Sequence, residues 1–123
     1  MKLSIQVSRF LITGVSAVLI DFGTYLLLIN IMGYDLAKTI SFVFGSVFAF
    51  IFNKLWTFEK KFFLFSEVTK FSALYSSTLI LNVFVNKTIL LIDSSFLILG
   101  FLIATFVSAL VNFLGQKFIV FKT

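Results

Sequence analysis

Four stretches of this chain are apolar almost without interruption, at residues 10–32, 36–55, 71–92 and 96–117. Each is close to the length of about 20 residues at which a helix crosses a hydrocarbon core. The pattern predicts an all-α fold: a polytopic membrane protein with four transmembrane helices. Gly33, Tyr34 and Asp35 make a tight first turn, and Asp93, Ser94 and Ser95 make a tight third one. The middle connection, residues 57–70, is longer and amphipathic, with Phe62, Phe63, Leu64 and Phe65 beside Lys60, Lys61, Glu67 and Lys70. It is expected to lie along the lipid headgroups. The opening MKLSIQVSRF is basic, but the run behind it is long and carries Asp21, so it reads as a span rather than a cleaved signal peptide.

Composition agrees, with 60% apolar and 12% charged residues and a mean hydropathy of +1.14. With 123 residues and neither proline nor cysteine, the chain forms one domain with no disulfide framework and no thiol metal site. Histidine is absent too, which removes the commonest general base and zinc ligand. An enzyme is therefore not expected, nor any cofactor or metal. The net charge of +5 does not signal nucleic acid, because the lysines flank apolar runs instead of lining a groove.

Orientation follows from those lysines. If both termini share one side, that side holds Lys2, Arg9, Lys54, Lys60, Lys61, Lys70, Lys117 and Lys122, eight against Lys38 and Lys87 on the other. The excess puts both termini in the cytoplasm, with the chain in the cell membrane. Trp56 then falls at the inner interface.

The two halves of the chain resemble each other. At an offset of 63, Asn53, Lys54 and Phe58 fall on Gln116, Lys117 and Phe121; at 61, Arg9, Phe10 and Asp21 fall on Lys70, Phe71 and Asn82. This predicts two parallel helical-hairpin repeats, about 1–61 and 62–123, whose interface would suit a pathway. Small residues four apart are expected to bring helices close: Thr13 and Ala17, Gly45 and Ala49, Ser72 and Ser76, Ala104 and Ser108.

The run RFLITGVSAVLIDFGTYLLL, the second span SFVFGSVFAFIFNKLWTF and the KF start of the third together resemble the GtrA-like family of small four-span membrane proteins. The resemblance covers essentially the whole chain. It implies work with lipid-linked sugars: translocation of a polyprenyl-phosphate-linked sugar for cell-surface polysaccharide or teichoic-acid glycosylation, or membrane partnership with the glycosyltransferases that use such lipids. The second ending departs from the family pattern, with Gln116, Lys117 and Ile119 where an Asn, a basic residue and often a Trp are expected.

Candidate site residues follow from burial cost. Asp21 is the only acid inside a span, about 18 Å along the helix from Arg9, which sets it near the midplane. A carboxylate there costs about 2.5–3.5 kcal/mol, so it should face protein and be paired or protonated. One reading has it hydrogen-bonded to Asn82 and pinning the hairpins; the other has it binding sugar hydroxyls or changing protonation during transport. Lys54 and Lys117, with Arg9 or Lys70 near, are candidates to hold a polyprenyl phosphate, with Asn53, Asn112 and Gln116 contacting sugar. The ordinary alternative is that these lysines set topology and snorkel to headgroups. Trp56 is an interfacial anchor that would also suit a sugar face, and Lys87 can snorkel to the outer interface. Four helices enclose little room, so a homodimer or another partner is expected, with the lipid tail left among membrane lipids. A small multidrug antiporter is the third functional class, disfavoured by the strong lysine asymmetry.

Overall fold

A computed structural model describes residues 1–122, with only the backbone for Tyr34. It contains four long helices: α1 (Leu3–Leu28), α2 (Tyr34–Phe52), α3 (Phe65–Ile92) and α4 (Leu97–Gly115). Both α2 and α4 run on without a break into a π-helical turn, Asn53–Thr57 and Gln116–Val120 respectively. All four helices are long and apolar enough to cross a membrane, and most of their Leu, Ile, Val and Phe side chains face outward. Such a surface is tolerable only against lipid. The protein is a multi-pass membrane protein.

The first three spans start earlier than the apolar pattern suggests. α1 begins at Leu3 because nothing in residues 3–9 breaks a helix, and hydropathy marks only where the charges stop. α3 begins at Phe65, so residues 65–70 belong to the helix and not to a strip lying on the headgroups. Glu67 sets that start: its carboxylate accepts the Leu64 N–H at 3.0 Å, satisfying a donor the first turn leaves open. The exposed aromatic stretch Phe62 to Phe65 straddles this boundary.

The chain divides into two compact units, residues 1–62 and 63–123, each a helical hairpin. In the first, α1 meets α2 along small side chains: Thr13 and Ala17 against Ala37, Ser41, Gly45 and Ala49, all buried. The four α2 positions recur every fourth residue, which keeps them on one face and lets the backbones close in. In the second hairpin, α4 offers Gly100, Ala104 and Ser108 at the same spacing. α3 answers with Phe71 and Thr78, whereas Ser72 and Ser76 are exposed. That expected pair lies one residue, about 100°, round the helix from the buried stripe.

The turn between α3 and α4 is held by Asp93, whose Oδ1 accepts the Ser95 N–H at 2.9 Å and the Ser95 hydroxyl at 2.7 Å. The backbone bond first, and the hydroxyl second, hold this carboxyl below the ordinary aspartate range. A depressed acid stabilises the turn above its unfolded pKa, and that contribution fades as pH falls through the folded value. Ser95→Ala should therefore raise the Asp93 pKa part of the way back, read from its carboxyl chemical shift across an acid titration.

Candidate functional site

The first hairpin carries its polar chemistry at two places. Near the turn between α1 and α2, Lys38 places its ammonium 2.8 Å from both carboxylate oxygens of Asp21. Ser41, fully buried, sets its hydroxyl 2.7 Å from Oδ1 of the same carboxylate and 3.0 Å from the Lys38 carbonyl. The Tyr25 ring lies 5.8 Å from the ammonium. Gly45 makes the arrangement possible. A Cβ at that position would stand 2.9 Å from the Ala17 carbonyl oxygen and 3.2 Å from the Asp21 Cβ, so only glycine lets α2 approach this closely.

Asp21 is therefore paired, as its depth requires, and its ionic partner is Lys38 from its own hairpin. The pairing was legible in principle. The turn spans residues 29–33, so positions 21 and 38 face each other a few residues out along antiparallel helices. Asp21 stands about 10 Å before the end of α1, nearer the turn than the open end of the hairpin.

The open end is built around the π turn Asn53–Thr57. Widening the helix by one residue per turn aligns Asn53 with Phe58 instead of Thr57, and the Phe58 N–H bonds the Asn53 carbonyl at 2.9 Å. The helix has ended by Glu59, whose φ of 53° is unusual for a side-chain-bearing residue, and the Lys60 N–H closes on the Lys54 carbonyl at 2.8 Å. Asn53 and Thr57 are buried, and the Thr57 hydroxyl donates to Asn53 Oδ1 at 2.9 Å. Asn53→Ala would leave that hydroxyl without its acceptor, a loss of about 1–3 kcal/mol. An unchanged unfolding midpoint in detergent micelles would count against this role.

Lys54 is drawn inward. It is only 4% exposed and donates to the Phe62 carbonyl, which ties the following loop to the π turn. Arg9 is a part-exposed cation at this end. Its Nη1 donates to the Trp56 carbonyl at 2.8 Å and to Glu59 Oε1 at 3.1 Å, while its guanidinium lies 5.2 Å from the centre of the Trp56 ring. Both hydrogen bonds use one nitrogen, so the others keep their N–H groups for a ligand. Immediately below runs a groove of about 370 Å³ between α1 and α2, lined by Ile12, Thr13, Ser16, Phe48, Ile51, Phe52, Leu55 and Trp56. Thr13 Oγ1 is buried there without a hydrogen-bond partner. The combination is an apolar slot with an indole in its lining and a guanidinium beside that indole.

The second hairpin repeats the backbone of this end but not its arrangement of charges. Its π turn has the same 2.8 Å bond, from the Phe121 N–H to the Gln116 carbonyl, and Lys122 has a φ of 48°, matching Glu59. Gln116 is buried like Asn53, yet Lys117 is half-buried, its ammonium 5.5 Å from the Phe118 ring. Asn112 accepts the Thr78 hydroxyl at 3.0 Å, and Asn82 is half-buried on α3. These residues are spread along their hairpin: Gln116 and Lys117 at its open end, Asn112 and Asn82 further in.

The fold defines a small polytopic membrane protein. Its family follows from sequence: the profile of the GtrA/DPMS transmembrane domain family matches residues 9–121, and the chain belongs to that family. No solved structure matches the chain.

Proposed function

We propose that this chain translocates a polyprenyl-phosphate-linked sugar across the cell membrane, with both termini in the cytoplasm, to supply cell-surface glycosylation. The observation that carries this reading is the apolar groove lined in part by Trp56, with the Arg9 guanidinium beside that ring. Its volume lies at the low end for ligand sites, so it takes a segment of hydrocarbon chain and leaves the remaining tail in the bilayer. Arg9 meets the phosphate, as a planar donor fork does best, and Trp56 offers a face to the sugar. Lys54, from inside, adds positive potential and fixes the loop. Membership of the GtrA/DPMS family supports the same substrate class. The repeated hairpins are read as a duplication in which the second copy keeps the scaffold, with Lys117, Gln116, Asn112 and Asn82 as its contribution.

A drug and proton exchanger fits less well, because its carboxylate must receive the cationic drug and Asp21 already carries an ammonium. The proposal is tested by titrating the purified chain with a polyprenyl phosphate. Arg9→Gln, and Ser16→Phe inside the groove, should each weaken binding at least tenfold, about 1.4 kcal/mol, without loss of helix. Undiminished binding in both variants would remove the groove from the function. If the chain binds no such lipid but co-purifies with a glycosyltransferase and raises its activity, an anchoring role replaces transport.

A further inference from the structure

The sequence gives Lys38 no task beyond counting towards topology, and the site at Arg9 does not use it. We propose that Lys38, Asp21 and Tyr25 form a second head-group site, at the turn end of the first hairpin, in which a sugar phosphate takes the Lys38 ammonium from the Asp21 carboxylate. This rests on the reading that the chain handles lipid-linked phosphosugars, and it adds where the head group is received after leaving Arg9.

Three observations carry it. The Lys38 side chain is 57% exposed and that of Asp21 18%, so the ammonium is clamped on one side and open on the other. The carboxylate has a second partner in the buried Ser41 hydroxyl, so it stays in place when the ammonium turns away. Tyr25, one turn along α1 from Asp21, sets a half-buried aromatic ring beside the ammonium, where a sugar ring would lie. The site is 12 residues from Arg9 along α1, or about 18 Å, with the groove residues Thr13 and Ser16 between the two.

The exchange conserves charge pairing for the lysine. Its ammonium meets one anion before and another after, while Asp21 keeps its Ser41 bond and competes for the ammonium's return. The carboxylate is thus the element that releases the phosphate. An ion pair serving stability alone would not compete with ligand.

The test uses farnesyl phosphoglucose as probe and the purified full chain in micelles, with acylation of Lys38 by an amine-reactive reagent read by mass spectrometry. The probe should protect Lys38, and Asp21→Asn should be protected at a probe concentration at least tenfold lower, because its competitor is gone. Protection is read at Lys38 itself and not as total binding, so a failure of the Arg9 groove would show separately, in the Arg9→Gln titration. Lys38 labelled equally with and without probe in the unaltered protein, or protection unchanged by Asp21→Asn, would overturn the proposal.

Discussion

Asp21→Asn should cut surface glycosylation below a tenth of the unaltered level while the chain still accumulates in the membrane. The amide has the shape of the carboxylate and keeps an oxygen for the Ser41 hydroxyl, so the α1–α2 seam is not disturbed. What it loses is charge. Lys38 then has no internal anion, and in a fully buried setting breaking such a pair costs about 3–5 kcal/mol. Here the lysine side chain is more than half exposed and sits near a helix end, so it swings towards headgroups and most of that cost is avoided. Stability is therefore nearly kept and function is not, because the ammonium is left to hold a phosphate it cannot release. Quantifying surface glycan against membrane-fraction protein checks both halves. Normal glycosylation in the variant would remove Asp21 from the mechanism.

Gly45→Ala should destabilise the first hairpin by about 1–3 kcal/mol, the range for overpacking a close-fitted contact. The added methyl meets a backbone oxygen of Ala17 at 2.9 Å, and backbone cannot step aside as a side-chain tip can. α2 must move off α1, and because the methyl also presses the Asp21 Cβ at 3.2 Å, the carboxylate shifts away from Lys38. Function should fall with stability. Gly14→Ala and Gly23→Ala are the matched controls, since nothing lies within 4 Å of the added methyl at either position. In those the helix gains up to about 1 kcal/mol from lower backbone freedom. Opposite signs in micelle unfolding midpoints are the expected result, and equal shifts at all three positions would mean that the seam does not depend on close approach.

Much of the fold could be read from the chain because hydrophobic length is a blunt and reliable signal in membranes. The four spans follow from it, and so does the need for Asp21 to be paired. The span ends did not follow, since residues such as Ser4, Gln6 and Ser8 lower hydropathy without ending a helix. The role of Lys38 is hidden in the sequence for a related reason: a lysine four residues into a helix normally snorkels to the interface, and only the tight turn and the close approach at Gly45 bring it to Asp21. The π turns have no periodic signature in five residues. Their cues are the paired endings NKLWTF and QKFIVF, whose amides and final phenylalanines, Phe58 and Phe121, are among the most buried side chains of the protein. Burial also reorders the candidates at the open end, where Lys54 turns inward and Arg9 remains within reach of ligand.

The most direct measurement is reconstitution of the purified chain alone in sealed proteoliposomes containing a polyprenyl-phosphate sugar, with a membrane-impermeant oxidant of the sugar added outside. Transport by this chain predicts that oxidation proceeds past the outer-leaflet share until nearly all of the lipid has reacted, and that Arg9→Gln and Asp21→Asn stop at that share. Oxidation halting at the outer leaflet with the unaltered chain, in vesicles where the protein is folded and binds the lipid, would contradict it.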